Sequence, residues 1–366
     1  TVTSEPGKTL TLTTGVDAVT AGAGNDTING VVQVAAGAAA TGTTTSPGDV
    51  VNGGEGTDTF NLSVAGDAGG TFTLQAVQLN NVENLLVTNF DINAAATTID
   101  TALMTGVTKV GLGASSATGG TTFTGMTAIK DAQMANGSAD LTLTYSAGTT
   151  GTADVQNLAV SAVSAGSFSA NGVETVAVTN SLTANKLTNI TGSSLKAITV
   201  TGDQNFTMTG TSTVKGIDTS ANTGKASLVL GAATHTVTTG AGDDTIDIGA
   251  NLSAADKIQG GEGTDTLKVE TAGTLNGMAS AADVTAEFAQ TGGFENIEVA
   301  ASGTATLNIK DIAGVETVTA NTNIRTITIA SAGNGADADV WSFTVNGTTY
   351  SAAAVAGAGN QAADDA

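Results

Sequence analysis

Two stretches of sequence decide how this chain folds: NGGEGTDTFNLSV at Asn52–Val64 and QGGEGTDTLKVET at Gln259–Thr271. They share the letters GGEGTDT, which begin at Gly53 and again at Gly260, 207 residues later. In both, glycines and an aspartate are followed by alternating apolar and polar residues. Glycine allows tight turns that other residues resist, and an apolar residue at every second position is typical of a strand with one buried face. The shared stretch therefore predicts a glycine turn that leads directly into a β-strand.

The turn matches the pattern G-G-x-G-x-D-x-U-x, in which U is a large apolar residue and which is known from calcium-binding nonapeptide repeats. Two more stretches fit with one glycine replaced, AGAGNDTI at 21–28 and TGAGDDTI at 239–246. A hard divalent cation binds six or more oxygens, and glycine lets backbone carbonyls turn toward one point. We therefore predict Ca²⁺ as the cofactor. The predicted metal-site residues are Gly22, Gly24, Asp26, Gly53, Gly54, Gly56, Asp58, Gly240, Gly242, Asp244, Gly260, Gly261, Gly263 and Asp265.

Each of these four aspartates is preceded, nine residues earlier, by a second candidate position. Two nonapeptides make one coil of about 18 residues in a parallel β-roll, with alternate units on opposite edges, so like positions of successive coils should stack. On one edge, here called the glycine edge, the predicted stacks are Asp26 with Asp58 and Asp244 with Asp265. On the other, here called the opposite edge, they are Asp17 with Asp49 and His235 with Asp256.

The opposite edge lacks the paired glycines, so Asp17, Asp49 and Asp256 are secondary candidates for calcium ligands. Imidazole is a poor ligand for this hard cation. We therefore expect His235 to fill a vacated site, and we expect its replacement by alanine to have little effect.

A second pattern, apolar-x-x-apolar-x-apolar, fills most of the remaining chain. Its copies start mostly 18 to 25 residues apart, and the clearest lie at 82–87, 107–112, 155–160, 173–178, 195–200 and 294–299. Such spacing is typical of a β-solenoid, in which each coil buries alternate residues of its strands. The predicted fold class is all-β: an elongated parallel β-solenoid or β-roll, with two calcium-binding modules and intervening β-helix-like coils.

Changes in composition divide the chain into five segments. The last contains Trp341 in an alternating strand, followed by the hairpin signal Asn346-Gly347. The predicted segments are a first calcium-binding module at 1–64, a Thr/Ala/Gly-rich solenoid at 65–230, a second module at 231–270, a solenoid at 271–335, and the start of a further, truncated β domain at 336–366.

The net charge of the chain limits the classes of molecule that it is expected to bind. With 33 acidic and 11 basic residues, the net charge is −22, which disfavours nucleic acid and anionic lipid but favours cations. No run of about 18 apolar residues is present, so no membrane insertion is expected. The chain has no cysteine and therefore no disulfide to stabilise it.

An enzymatic function is not predicted. The chain has one His, one Trp and two Tyr, and its only His falls in the phase of the glycine turns. A polysaccharide-modifying solenoid enzyme needs basic or tyrosine residues gathered in a groove, whereas the lysines here are scattered along the sequence. This third class is kept only as an alternative.

The glycine modules and the strands that follow them, NNVENLLV at 80–87 and GGFENIEV at 292–299, resemble the RTX-type surface-layer proteins of Gram-negative bacteria. The resemblance covers most of residues 9–335. It implies type I secretion, folding in calcium outside the cell, and self-assembly of copies of the protein into a two-dimensional lattice on the cell surface. It also implies that the secretion signal and a contact with lipopolysaccharide lie outside these 366 residues.

The expected function is therefore structural: a calcium-stabilised segment of a secreted, extracellular S-layer protein. Many large adhesins share the same composition. A stalk or binding segment of a large RTX adhesin is accordingly the second interpretation.

Overall fold

A computed structural model describes residues 5–34, 42–66, 73–74, 77–92, 94–252, 255–269, 293–300, 303–308, 317–320, 324–330, 340–345 and 348–353. These residues form an all-β structure of parallel sheets without a helix, arranged as a β-solenoid of about 11 turns. The predicted β-solenoid class is confirmed. In the described part of the chain, no helix is long and apolar enough to cross a membrane.

The strands are short and follow one another closely. Their bounds are β1 (Thr9–Thr11), β2 (Ala18–Ala23), β3 (Thr27–Val34), β4 (Val50–Glu55), β5 (Thr59–Gly66), β6 (Thr73–Leu74), β7 (Gln78–Asn80), β8 (Asn84–Asp91), β9 (Thr97–Asp100), β10 (Met104–Thr105), β11 (Lys109–Leu112), β12 (Thr121–Met126), β13 (Asp131–Ala135), β14 (Leu141–Tyr145), β15 (Val155–Ser161), β16 (Phe168–Ala170), β17 (Thr175–Ser181), β18 (Asn185–Leu187), β19 (Ile190–Thr191), β20 (Ala197–Gly202), β21 (Phe206–Ser212), β22 (Gly216–Asn222), β23 (Ala226–Leu230), β24 (Thr236–Thr238), β25 (Thr245–Gly249), β26 (Lys257–Gln259), β27 (Thr266–Val269), β28 (Asn296–Val299), β29 (Gly303–Asn308), β30 (Thr317–Ala320), β31 (Ile324–Ala330), β32 (Val340–Val345) and β33 (Thr348–Ala353).

The chain divides into two compact units, Thr1–Lys196 and Ala197–Ala366. In the first unit, successive coils add their strands to three parallel sheets. Their strand orders are β1-β3-β5-β8-β11-β13-β15-β17, β2-β4-β7-β10 and β6-β9-β12-β14-β16-β19. The glycine turns precede β3 and β5, and the strand of the VEN motif, β8, lies directly beside β5. Module and solenoid therefore share one sheet, because Thr59 pairs in register with Asn84.

The second unit repeats this arrangement. Its orders are β20-β22-β24-β26, β21-β23-β25-β27-β28-β30-β32-β33 and β29-β31. Strand β32 pairs in parallel with β30, so the strand that holds Trp341 extends the sheet of this unit. The predicted hairpin is present as the antiparallel pair of β32 and β33. Its turn, Asn346-Gly347, lies outside the described residues.

Apolar side chains at alternate positions form the core. The U residues Ile28 and Phe60 pair in register with each other, and Phe60 pairs with Leu85 in the next coil. All three are at most 1% exposed. Burial of one such side chain contributes roughly 1.5–3 kcal/mol. Stacked columns of this kind therefore fix the register of the coils, and with it the positions of the aspartates beside them.

Candidate cation-binding loops

The strand register brings the predicted residues together in pairs. On the glycine edge, the pairing of β3 with β5 and of β25 with β27 sets Asp26 beside Asp58 and Asp244 beside Asp265. On the opposite edge, the pairing of β2 with β4 and of β24 with β26 sets Asp17 beside Asp49 and His235 beside Asp256. All four predicted stacks are present.

In the first unit, the glycine edge is a ladder of carboxylates and backbone N–H groups. The N–H of Lys8 donates to Asp26 Oδ1 at 2.5 Å, and the N–H of Asp26 donates to Asp58 Oδ1 at 2.7 Å. The N–H of Asp58 in turn donates to Glu83 Oε2 at 2.7 Å. Hydrogen bonds to an ionised acceptor are stronger than neutral ones. Each acidic side chain therefore ties its own coil to the preceding one.

The second unit has the same ladder. Asp244 Oδ1 accepts the N–H of Ala226 at 2.6 Å, and Asp265 Oδ1 accepts that of Asp244 at 2.7 Å. Glu295 Oε2 accepts the N–H of Asp265 at 2.7 Å. Glu83 and Glu295 were not among the residues predicted for these ladders. The signal was available, since both are the Glu of an (V/F)-E-N motif that follows a GGEGTDT stretch.

The second carboxylate oxygen distinguishes the glycine edge. The Oδ2 atoms of Asp26, Asp58 and Asp265 are buried and have no hydrogen-bond partner among the described residues. These residues are at most 1% exposed. Asp244 differs, because its Oδ2 accepts the N–H of Gly240 at 3.1 Å. A buried, unpaired carboxylate oxygen is costly unless a cation or a proton compensates it.

The glycines allow the loops to lie directly on one another. Gly54 and Gly56 have φ values of 102° and 129°, in the left-handed region that favours glycine. A Cβ on Gly54 would lie 1.8 Å from the carbonyl oxygen of Gly22, and one on Gly56 would lie 2.2 Å from that of Gly24. Carbonyl oxygens of one loop therefore face the next loop at close range. Positive φ values recur at Gly22, Gly24, Gly261 and Gly263.

At Gly240 and Gly242, glycine is required because neighbouring backbone atoms leave no room for a Cβ, and not because the backbone has a positive φ. Neither has a positive φ. A Cβ on Gly240 would lie 2.2 Å from the carbonyl oxygen of Asn222, and one on Gly242 would lie 2.7 Å from the backbone nitrogen of Lys225. The preceding coil, at 216–230, thus approaches this loop as closely as another glycine loop would.

A protein cation lies against the first glycine loop. The ammonium of Lys8 donates to the carbonyl oxygen of Ala21 at 2.6 Å and lies 3.1 Å from Glu5 Oε1. A Cβ on Gly22 would lie 2.7 Å from this Nζ. The carbonyl oxygen of Ala21 is therefore directed at a positive charge of the protein itself, which the repeat pattern did not predict.

On the opposite edge, the carboxylate oxygens have partners in the protein. Asp17 accepts hydrogen bonds from the N–H of Thr13 at 2.8 Å and from its Oγ1 at 2.9 Å. Asp49 accepts the N–H of Asp17 at 2.9 Å with Oδ1 and that of Ser46 at 2.6 Å with Oδ2. Asp256 Oδ1 accepts the N–H of His235 at 2.6 Å. These carboxylates have less capacity left for a cation than those of the glycine edge.

His235 is fully buried. Its Nδ1 lies 3.0 Å from the carbonyl oxygen of Val214, and its Nε2 lies 3.0 Å from that of Gly231. A neutral imidazole has one N–H, so both contacts are hydrogen bonds only in the imidazolium form. His235 thus fills space on the opposite edge, but it does so with two specific contacts. The expectation that alanine would replace it without effect no longer follows from the structure.

The electrostatics of the glycine edge indicate uncompensated negative charge. Burial raises the pKa of Asp265 to about 7, and the nearby carboxylates of Asp244 and Glu295 add to the rise, against the lowering by the N–H of Asp244. Burial also raises the pKa of Asp58, with further contributions from Asp26 and Glu83. Burial and neighbouring carboxylates therefore make these two groups harder to ionise than a carboxyl group in water.

The donors on this edge fit a hard cation. They are carboxylate and carbonyl oxygens, beside buried Oδ2 atoms and in loops too tight for a side chain. Among the described residues, no three His, Cys, Asp or Glu side chains gather around one point. A cation here would therefore take much of its coordination from the backbone. No protein-family model matches the chain, and no curated protein matches it.

Proposed function

We propose that this chain is a calcium-stabilised structural segment of a secreted bacterial surface-layer protein, which self-assembles into a two-dimensional lattice on the cell surface. The observation that carries the calcium part is the set of buried Oδ2 atoms of Asp26, Asp58 and Asp265, which lack a hydrogen-bond partner in the described residues. The resemblance of the glycine modules and (V/F)-E-N strands to RTX-type surface-layer proteins supports the rest.

Calcium fits this edge better than a softer or smaller ion. It accepts six to eight oxygen ligands in flexible geometry, including backbone carbonyls, whereas Mg²⁺ demands a near-ideal octahedron and keeps its waters. For an extracellular site with Kd on the order of 10⁻⁴ M, calcium at about 1 mM stabilises the fold by about 1.4 kcal/mol per ion. Several ions together stabilise the stacked loops enough to couple folding to the calcium level outside the cell.

A structural role is supported by the state of the single histidine. His235 is fully buried, and both ring nitrogens lie at backbone carbonyls, so it is not placed to act on a substrate. The proposed partners are copies of the same protein, together with cell-surface lipopolysaccharide contacted by a region outside these residues. The net charge of −22 suits contacts between copies that are bridged by calcium.

Thermal melting tests the calcium part of the proposal. Metal-depleted protein should melt at a higher temperature in 5 mM CaCl₂ than in EGTA, and 5 mM MgCl₂ should give a much smaller increase. Equal melting temperatures in calcium and EGTA would contradict the proposal.

Electron microscopy of the full-length gene product tests the lattice part. In millimolar calcium, ordered sheets are expected, and they should disperse in EGTA. Protein that stays monomeric in calcium and binds cells or glycans would instead support the adhesin interpretation.

A further inference from the structure

The first glycine of each GGEGTDT stretch has a role that backbone conformation does not explain. Neither Gly53 nor Gly260 has a positive φ, unlike the glycine that follows each of them. The register places Ala21 at the position of Gly53 and Thr239 at that of Gly260 in the preceding coils. A side chain is thus tolerated at this point of the loop in one coil and absent in the next.

The difference lies in the oxygens that face the two glycines. A Cβ on Gly53 would lie 2.3 Å from Asp58 Oδ2 and 2.1 Å from the carbonyl oxygen of Asn81, in the coil that follows. A Cβ on Gly260 would lie 2.7 Å from Asp265 Oδ2 and 1.9 Å from the carbonyl oxygen of Gly293. In both units, the missing side chain leaves a place where a carboxylate oxygen and a carbonyl oxygen converge.

Two oxygens that converge without a hydrogen between them repel each other. Here the carboxylate oxygens, Asp58 Oδ2 and Asp265 Oδ2, are buried and have no hydrogen-bond partner in the described part of the chain. A second carboxylate adds to the negative charge, since Glu83 and Glu295 accept the N–H of the same aspartates at 2.7 Å. The arrangement recurs in both units.

We propose that each GGEGTDT coil binds a divalent cation on the side that faces the following (V/F)-E-N coil, in addition to any ion held between the stacked glycine loops. In the first unit, Asp58 Oδ2 and the carbonyl oxygen of Asn81 are ligands, and the carboxylate of Glu83 lies beside them. In the second unit, Asp265 Oδ2 and the carbonyl oxygen of Gly293 are ligands, and Glu295 takes the place of Glu83. This inference rests on the calcium-binding function proposed above.

The first unit also contains a coil that serves as a matched control. The N–H of Asp154 donates to Glu174 Oε2 at 3.0 Å, in the same geometry as the contact of Asp58 with Glu83. However, Asp154 Oδ2 accepts the N–H of Gly151 at 3.0 Å, and Asp154 is only half-buried. This pair has the Glu contact without a buried, unpartnered oxygen, so we expect no cation there.

The test uses the full chain with Glu83→Gln, Glu295→Gln and, as the control, Glu174→Gln. Glutamine keeps an oxygen that can accept the aspartate N–H, so melting in EGTA should stay close to that of the unchanged protein for all three variants. Calcium binding is measured by equilibrium dialysis with ⁴⁵Ca²⁺. Loss of a carboxylate beside a metal site lowers affinity by roughly 10- to 100-fold. At a calcium concentration that saturates the unchanged protein, E83Q and E295Q should each bind one ion fewer, and E174Q should lose none.

The outcomes separate the two proposals. If the unchanged protein binds no calcium, both the calcium function and this inference are overturned. If it binds calcium with the same stoichiometry and affinity in E83Q, E295Q and E174Q, only this inference is overturned. A loss in E174Q equal to that in E83Q would also overturn it, because that loss would not depend on the glycine coil.

Discussion

The two edges of the glycine loops have the same nine-residue spacing of acidic positions but use their oxygens differently. On the opposite edge, Asp49 gives both carboxylate oxygens to backbone N–H groups, those of Asp17 and Ser46. On the glycine edge, Asp58 gives one oxygen to the N–H of Asp26, and its other oxygen is buried without a hydrogen-bond partner in the described residues. The same repeat thus produces a completed backbone contact on one edge and a candidate cation ligand on the other.

Spacing thus sets where an aspartate stacks, whereas the local backbone determines what its carboxylate can bind. At Gly53, the absence of a Cβ makes room for Asp58 Oδ2. Near Asp49, the chain supplies the N–H of Ser46 instead. Substitutions on the two edges should therefore respond differently to calcium.

The largest effect is expected for His235→Ala on the opposite edge. The change removes a fully buried ring, and the carbonyl oxygens of Val214 and Gly231 lose their contacts with its two nitrogens. Large-to-small changes in a core cost about 2–4 kcal/mol. Urea unfolding should show this loss equally in calcium and in EGTA. A loss seen only in calcium would mean that His235 belongs to the metal site.

Asp49→Ala should have the next largest effect. It leaves the N–H groups of Asp17 and Ser46 without their acceptor, at a cost of about 2 kcal/mol. The loss should again be independent of calcium, as measured by urea unfolding under both conditions. A loss of stability that depends on calcium would mean that Asp49 also binds a cation, and the two edges would then not differ in calcium binding.

Asp58→Ala and Asp265→Ala change the glycine edge, and their effect should depend on calcium. Each removes a buried oxygen that lacks a hydrogen-bond partner in the described residues, so each should abolish part of the stabilisation by calcium, about 1.4 kcal/mol for each ion lost. The difference in melting temperature between calcium and EGTA should shrink in both variants. An unchanged difference would exclude these aspartates as ligands.

A pH-dependent effect is also expected in metal-depleted protein. Burial raises the pKa of Asp265 to about 7, above the ordinary value near 4. The protonated form therefore stabilises the fold below about pH 4, and this contribution is lost as the pH rises through about 7. Melting in EDTA should fall between pH 5 and pH 8, and Asp265→Asn should flatten the fall. In calcium the dependence should weaken or reverse, because the ion binds the carboxylate form.

Much of this arrangement could be predicted from the sequence, because the repeat has a fixed phase. The nine-residue spacing predicted the stacks of Asp26 with Asp58 and of Asp244 with Asp265, and the apolar pattern predicted strands such as β8 and β28. These features depend on periodicity, which is visible in a single sequence.

The remaining features could not be predicted because they join residues in different coils, at separations that the loops make irregular. The contact of Asp58 with Glu83 spans 25 residues, whereas the equivalent contact of Asp265 with Glu295 spans 30. The order of residue types along the chain also does not show that both ring nitrogens of His235 face backbone carbonyl oxygens. The predicted boundary between module and solenoid at residue 64 separated strands that pair in one sheet, because composition changes there while the hydrogen bonding does not.

Hydrogen exchange followed by mass spectrometry, with and without calcium, tests the difference between the edges most directly. Calcium should slow exchange at the glycine edge, in the peptides that cover 22–26, 53–58, 240–244 and 260–265. Exchange on the opposite edge, around 13–17 and 46–49, should change little. Equal exchange in calcium and EGTA at the glycine edge, or equal protection of both edges by calcium, would contradict the account.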